Sequence, residues 1–303
     1  MVTRSDFDGL VCAMILRELD IIEDIKFVHP KDVQDGKIEL SENDITTNLP
    51  YDPRVGLAFD HHESEIDRLK SIEAGGELVI EPNAKSAARV VYNYFGGKEK
   101  LPGITEEIME AVDKGDSADF SIDEILNPKG WVLMHYLMDP RTGLGRFRNF
   151  RISNYELMMQ LIGFCMNHTI DEILELPDVK ERVDLYFEQA EQFKAQLQRL
   201  AKIHDKVVVL DLREEEIIHA GNRFMIYALY PEAEISVHVV WGFKKQNTAV
   251  MIGKSIVNKK SDVDIGELCF KYGGGGHHNA GTCQLDNDKV DDALPDIIKA
   301  LNG

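Results

Sequence analysis

Hydrophobic residues in the first third of the chain recur with two alternating spacings. Apolar side chains from Val11 to Leu19 recur at helical spacing, as they do again at Ala84–Phe95 and Ile104–Lys114. Short apolar runs of the kind found in strands occur at Ile25–Val28, Ile45–Thr47 and Val55–Phe59. Strands that alternate with helices predict a parallel sheet flanked by helices.

In the rest of the chain, the spacing of hydrophobic residues changes once, from helical to strand-like. Helical spacing dominates from Ile125 to about Ile203, with a long amphipathic stretch from Val179 onward. After His204, strands are predicted at Val207–Leu212, Phe224–Tyr230, Ile235–Phe243, Thr248–Ile256 and Thr282–Leu285, and helices at Val263–Lys271 and near Asp291–Leu301. The pattern predicts an α/β domain over residues 1–120, a helical connector over 121–205 and a smaller α/β domain over 206–303.

Composition describes an ordinary globular protein. The 303 residues are 44% hydrophobic and 29% charged, with no apolar run of membrane-spanning length and no signal-peptide pattern at the amino terminus. We therefore expect a cytoplasmic protein without a membrane partner. The four cysteines are scattered without the spacing of a zinc ribbon or a disulfide framework, so reduced thiols are expected.

Charge restricts the possible partners. The net charge is −19 and the pI is about 4.9, so most of the surface repels a polyanion and a long nucleic-acid duplex is not an expected partner. A small phosphorylated substrate or a short single-stranded nucleic acid remains possible, because cations and backbone amides can make one pocket electropositive. A local basic cluster, which either reaches a substrate phosphate or pairs with the surplus carboxylates, comprises Arg141, Arg146, Arg148 and Arg151. Pairing is the favoured interpretation.

Metal-binding chemistry is concentrated near the predicted strand ends. Asp60-His61-His62 offers one carboxylate and two imidazoles within one turn of chain, and Asp6 and Asp8 place two carboxylates before a helix. Asp6, Asn48 and Asp60 each follow a predicted strand. Because ligands of parallel sheets collect at the carboxyl ends of the strands, one crevice is expected to gather these residues.

A second candidate site lies near the carboxyl terminus, where Gly273–Gly276 precedes His277 and His278. Consecutive glycines allow backbone amides to approach an anion, and the histidines add donors. A flexible linker is the alternative, but apolar segments flank the run closely on both sides.

These segments resemble the motifs of the DHH phosphoesterase family, in the same order along the chain. The resemblance rests on Ser5-Asp6-Phe7-Asp8-Gly9, on Asp60-His61-His62, and on Gly274-Gly275-Gly276-His277-His278-Asn279-Ala280-Gly281, which is similar to the glycine-rich signature of the DHH-associated second domain. It implies a two-domain hydrolase that acts on phosphodiester or phosphoanhydride bonds.

The resemblance also implies a cofactor, one or two divalent cations that are most often manganese, with magnesium or cobalt as alternatives. Such a site activates water for in-line attack on phosphorus. By position, the implied metal ligands are Asp6, Asp8, His61 and either Asp113 or Asp116, with Asp113 ranked ahead.

Further roles follow by the same correspondence. Asp60 and His62 are the implied catalytic residues, with His62 contacting the scissile phosphate or protonating the leaving oxygen. The implied substrate-binding residues are Gly274, Gly275, Gly276, His277, His278, Lys254 and Ser255.

Two positions depart from the family pattern. Arg4 stands where many relatives have a histidine, and an arginine cannot ligate a cation. Asn48 stands where an aspartate usually bridges two metals, and a neutral amide is a weaker ligand. The first motif begins at Ser5, which leaves two alternatives: the chain lacks its natural start, or the strand that carries the motif is short.

Three functions are compatible with these observations. The favoured one is a metal-dependent phosphoesterase that hydrolyses a short oligonucleotide or a cyclic or linear dinucleotide. The alternatives are a non-catalytic nucleotide-binding protein and an exopolyphosphatase or pyrophosphatase. A homodimer is a possible assembly.

Overall fold

The computed structural model describes residues 1–62, 65–66, 69–70 and 75–303. The chain forms two compact units. The first comprises Met1–Asp119 and Pro128–Leu185, and the second comprises Phe120–Asn127 and Tyr186–Gly303. No helix in the described ranges is both long and apolar enough to cross a membrane.

The first unit is built on a parallel sheet of five short strands. They are Val2–Arg4 (β1), Lys26–Val28 (β2), Ile45–Thr47 (β3), Leu57–Asp60 (β4) and Glu77–Ile80 (β5). Their order across the sheet is β2-β1-β3-β4-β5, and every pairing is parallel. The strand before the first motif is three residues long.

Helices cover this sheet. Those of the first unit are Phe7–Glu18 (α1), Pro30–Gln34 (α2), Ala87–Tyr94 (α3), Glu106–Asp116 (α4), Gly130–Met138 (α6), Asn154–Asn167 (α7) and Ile170–Leu174 (α8). Residues Phe7–Leu16 of α1 are all buried, so this helix is the centre of the hydrophobic core. A polar side chain accepts a backbone N–H bond at the start of α1, α3 and α4, namely Asp6, Ser86 and Thr105.

The second unit contains a mixed six-stranded sheet. Its strands are Lys202–His204 (β6), Val207–Asp211 (β7), Ile235–Trp241 (β8), Thr248–Lys254 (β9), Gly275–His277 (β10) and Ala280–Leu285 (β11), in the order β10-β11-β9-β8-β7-β6. Only the pairing of β7 with β8 is parallel among these strands. The helices of this unit are Ile122–Leu126 (α5), Met225–Leu229 (α10), Ile265–Lys271 (α11) and Val290–Asn302 (α12). Pro177–Leu200 (α9) runs from the first unit into the second.

The α/β fold class with a parallel first sheet is confirmed, but one predicted element is wrong. The segment Phe224–Tyr230 is not a strand, because its centre is the helix Met225–Leu229. A short, continuous apolar run has no period that separates a buried strand from a buried helix. Asn222 lies just before this helix: its Oδ1 accepts a bond from the Phe224 N–H and its Nδ2 donates to the Ile125 carbonyl. The short strands β5, β6 and β10 are additions to the predicted set.

The helical region between the two sheets divides by packing. Helices α6, α7 and α8 belong to the first unit, and α5 belongs to the second. The functional division at residues 120 and 205 stays a prediction.

Candidate metal site and glycine-rich segment

The carboxyl edge of the first sheet gathers three of the expected residues. Asp6 follows β1, Asn48 follows β3 and Asp60 ends β4. Since β3 lies between β1 and β4, these three positions are neighbours at one edge of the sheet.

Asp8 is buried at the start of α1 and is held by the backbone of α3. Its Oδ1 accepts a bond from the Ala88 N–H at 2.7 Å and its Oδ2 accepts one from the Ala87 N–H at 3.1 Å. Gly9 lets the helix begin this close to the sheet, because a Cβ there would lie 2.0 Å from the Arg4 carbonyl oxygen.

Asp8 shares a cluster with His61 and Asp116. The His61 Nε2 lies 3.0 Å from Oδ2 of Asp116, and the His61 Nδ1 lies 3.2 Å from the Ala84 carbonyl oxygen. That carbonyl can only accept, so Nδ1 carries the proton and Nε2 is the nitrogen turned to the carboxylate when the ring is neutral. One ligand atom from each of Asp8, His61 and Asp116 lies within 4.8 Å of the other two.

The electrostatics of this cluster favour a cation. Burial, together with the neighbouring charges of Asp116 and Asp6, raises the pKa of Asp8 to about 8. Burial opposes protonation of His61, but the hydrogen bond and charge of Asp116 outweigh it and raise the pKa of His61 to about 9. Carboxylates that repel one another this strongly, with an imidazole beside them, form a donor set suited to a divalent metal ion.

Asp60 and His62 form a second pair. The Asp60 Oδ1 lies 2.7 Å from His62 Nδ1 and accepts a bond from the His61 N–H at 2.8 Å. The Asp60 side chain is 3% exposed and that of His62 is 39% exposed, so a buried carboxylate orients an accessible imidazole. Burial lowers the pKa of His62, but the hydrogen bond and charge of Asp60, with the charge of Asp116, together outweigh it and the net shift is upward. Asp60, His61 and His62 also each offer a ligand atom within 4.8 Å of the other two.

Asp6 is engaged differently. Its Oδ1 accepts the Gly9 N–H at 3.0 Å, and its Oδ2 lies 2.8 Å from Arg4 Nε. Burial raises the pKa of Asp6, and the charge of Arg4 acts in the opposite direction. Arg4, where the family pattern has a histidine, therefore supplies a positive charge beside Asp6.

Of the two candidates on α4, the geometry favours Asp116 and reverses the order given from the sequence. Asp113 accepts a bond from Ser86 Oγ at 2.7 Å and from Arg89 Nε at 2.8 Å, so its two oxygens hold the start of α3. Asp116 faces His61 instead.

Asn48 is 2% exposed and has a left-handed backbone with φ of 53°. Neither atom of its side-chain amide has a hydrogen-bond partner within the described part of the chain. Burying an amide without hydrogen-bond partners costs free energy. At its position between the ends of β1 and β4, the Asn48 amide could bond to a bound ligand, ion or water.

The glycine-rich segment of the second unit is part of a tight hairpin. A Cβ on Gly274 would lie 2.2 Å from the Thr282 carbonyl oxygen, and one on Gly276 would lie 2.3 Å from that of Ala280. These two glycines are required by the close approach of β11. Gly275 has open space at its Cβ position, which is where a ligand can approach the backbone.

Polar groups flank this hairpin. The Lys254 Nζ lies 2.7 Å from His278 Nε2, and the His278 Nδ1 lies 3.4 Å from Oδ2 of Asp264. The His277 Nδ1 accepts a bond from the Asn279 N–H at 3.3 Å. Sequence reasoning missed Asp264, although an aspartate before a predicted helix signals an N-cap, and here it caps α11.

Ser255 lies directly after β9 but has a local task. Its buried hydroxyl accepts bonds from the backbone N–H groups of Val257 and Asn258 at 3.2 and 2.9 Å and so closes a turn. A role for Ser255 in substrate binding stays a prediction.

Comparison with solved structures gives matches over nearly the whole chain. The chain is 54% identical to the pGpG-specific phosphodiesterase PggH from Vibrio cholerae, covering 99% of this chain and 98% of that one with a TM-score of 0.84. The DHH domain of a protein from a ribosomal-protein family is 12% identical over 98% of this chain and 85% of that one, with a TM-score of 0.56. RecJ from Thermus thermophilus, in complex with Mn²⁺, is 15% identical over 99% of this chain and 51% of that one, with a TM-score of 0.53. No family model and no curated protein matches the chain.

Proposed function

Because the chain belongs to the DHH phosphoesterase family, we propose that it is a metal-dependent phosphodiesterase whose substrate is a linear dinucleotide such as pGpG. Water adds to the internucleotide phosphorus, and the bond from phosphorus to the 3′ oxygen breaks. The products of pGpG are two molecules of the 5′ mononucleotide. The observation that carries the proposal is the 54% identity, over 99% of the chain, to a phosphodiesterase specific for pGpG.

The metal would be held by Asp8, His61 and Asp116, with Asp6 and Asn48 adjacent. The fit rests on the repulsion among the buried carboxylates and on the partnerless amide of Asn48 within the described residues. When bound, a divalent ion supplies charge neutralisation at phosphorus and water of lowered pKa. Manganese is the proposed ion, with magnesium and cobalt as alternatives, because oxygen and imidazole ligands suit it.

The chain itself would supply the proton that the leaving oxygen needs. His62 offers an accessible imidazole, and Asp60 holds its Nδ1 so that Nε2 faces outward to donate. The upward shift in the pKa of His62, to which Asp60 contributes, favours the protonated ring, which suits an acid. Asp60 acts on the reaction only through His62 and is a positioning residue.

In the second unit, the open backbone at Gly275 and the nearby Lys254, His277 and His278 would bind a substrate phosphate. The donors are suited to a terminal phosphate, because the Lys254 ammonium and the imidazoles form charge-assisted hydrogen bonds with its oxygens. Homodimer formation and a cytoplasmic location are further proposals.

The test is turnover by the purified protein with Mn²⁺, Mg²⁺ or Co²⁺, followed by chromatography of the products. The panel holds pGpG, pApA, longer oligonucleotides, cyclic dinucleotides and polyphosphate. We expect pGpG to be cleaved to mononucleotide fastest in Mn²⁺. Binding of pGpG without cleavage would support a non-catalytic protein, and turnover of polyphosphate alone would support an exopolyphosphatase.

A further inference from the structure

Arg141 differs from the rest of the basic cluster of residues 141–151 in where it lies. It stands in a short 3-10 turn, Pro140–Thr142, that directly follows α6. Arg151, at the other end of the cluster, pairs with Asp178 through its Nε at 3.2 Å.

Helix α6 packs against the residues that carry the metal ligands. A Cβ on Gly115 would lie 2.4 Å from Nδ1 of His135, so the His135 ring rests on the backbone next to Asp116. The ring of Phe7, between Asp6 and Asp8 in the chain, stacks on Trp131 at a centroid distance of 5.6 Å and meets the edge of His135 at 6.5 Å. Helix α6 therefore packs against both ligand-bearing segments, with Trp131 near its amino end and His135 nearer its carboxyl end.

This packing also fixes Arg141. The Asp139 N–H donates to the His135 carbonyl at 2.9 Å, and Asp139 Oδ1 accepts from the N–H and the Nε of Arg141 at 2.9 and 2.8 Å. Thr142 Oγ1 donates to the Tyr136 carbonyl at 2.6 Å, which ties the other side of the turn to the helix. One edge of the guanidinium is held by Asp139, and the side chain remains 50% exposed.

The charge of Arg141 reaches the site carboxylates. Burial lowers the pKa of Arg141, but Asp139 raises it more, and Asp6 and Asp116 add to the rise. Within the described residues, the hydrogen bonds of its guanidinium run through Nε to Asp139 and leave the two Nη groups for another acceptor.

A second Asp-Pro-Arg in the chain shows that this placement is specific. Asp52-Pro53-Arg54 forms the same local ion pair, with Asp52 Oδ1 accepting from the N–H and the Nε of Arg54 at 3.0 and 2.8 Å. The Arg54 side chain is 47% exposed, close to the value for Arg141. Asp52 raises the pKa of Arg54, whereas that of Arg141 also responds to Asp6 and Asp116.

We propose that Arg141 binds the scissile phosphodiester, its two Nη groups donating to a non-bridging oxygen while Asp139 holds its Nε. This inference rests on the proposed function and adds a substrate-binding residue to it. The physical reason is charge: a phosphodiester anion is repelled by Asp6, Asp8 and Asp116, and a preoriented guanidinium beside them offsets that repulsion.

The experiment compares Arg141→Gln, Arg141→Lys and the matched control Arg54→Gln. Binding is measured by calorimetry for two analogues of pGpG, one with an anionic phosphorothioate linkage and one with a neutral methylphosphonate linkage. We expect Arg141→Gln to weaken binding of the phosphorothioate by about 10- to 100-fold and to change binding of the methylphosphonate less than about 2-fold. Arg141→Lys should lose an intermediate amount, and Arg54→Gln should bind both analogues as the wild type does.

The outcomes separate this inference from the proposed function. Equal weakening of both analogues would mean a structural role, and no weakening of either would mean no contact; both results overturn the assignment. Wild-type protein that binds the analogues but does not cleave pGpG refutes the proposed turnover and still tests Arg141. Wild-type protein that neither binds the analogues nor cleaves pGpG refutes both.

Discussion

The choice between the two aspartates of α4 can be tested by paired substitutions, Asp113→Asn and Asp116→Asn. Both preserve side-chain size and remove one charge from the same helix. In the structure Asp113 stabilises the start of α3 and Asp116 faces His61. The two variants should therefore fail in different ways.

The expected cost of Asp113→Asn follows from its contacts. The side chains of Arg89 and Asp113 are 20% and 13% exposed, and the carboxylate accepts from both Ser86 and the guanidinium. Removing one partner of such a pair costs about 2–3 kcal/mol. For a unit of this size we expect a fall in melting temperature of roughly 5–10 °C, with the metal response and most activity kept.

Asp116→Asn should show the opposite pattern. It removes a proposed ligand and also removes repulsion of Asp8, so the melting temperature in EDTA should stay near that of the wild type. At a Mn²⁺ concentration about 100-fold above its dissociation constant, the wild type gains about 2.7 kcal/mol. If the variant binds about 100-fold more weakly, the same concentration gives only about 0.4 kcal/mol.

The assay is thermal unfolding in EDTA and across a Mn²⁺ titration, combined with pGpG turnover. Loss of the Mn²⁺ response in Asp113→Asn, or its retention in Asp116→Asn, would refute the assignment of the ligand.

Three further predictions concern single positions. Asn48→Asp adds a buried carboxylate at the strand ends, so it should lower the melting temperature in EDTA and enlarge the Mn²⁺ response; an unchanged response would place Asn48 outside the metal site. Gly266→Ala places a Cβ 2.9 Å from the backbone of Gly276, so it should raise KM for pGpG several-fold with little change in kcat, and an unchanged KM in steady-state kinetics would separate the hairpin from substrate binding. Burial lowers the pKa of His238 from 6.5 to about 4. As the pH falls from about 7.5 to about 5, His238 therefore binds a proton in the unfolded chain but not in the folded chain. This difference lowers the free energy of unfolding by roughly 2 kcal/mol. Hydrogen exchange of β8 should show that the His238→Gln variant does not lose this stability over the same pH range. Equal losses of stability in the variant and the wild type would contradict the lowered pKa of His238.

The features that could be predicted from the amino-acid sequence are those that depend on local pattern. Alternating strand and helix periods identified the parallel sheet, and the strand ends identified Asp6, Asn48 and Asp60 as neighbours. This worked because the carboxyl ends of parallel strands meet at one edge, whatever the details of packing. The apolar run at Phe224–Tyr230 had no such period, so the sequence did not separate a buried strand from the helix that forms there.

Residues with the same local sequence context could be told apart only by their packing. Asp113 and Asp116 share one helix, and the packing of α3 and His61 gave each a different partner. Asp-Pro-Arg occurs twice with the same ion pair, and only the copy that follows α6 lies where the charges of Asp6 and Asp116 reach it. Local bonds depend on neighbours in the chain, whereas a site depends on which distant segments pack together, and here long-range packing determined the site.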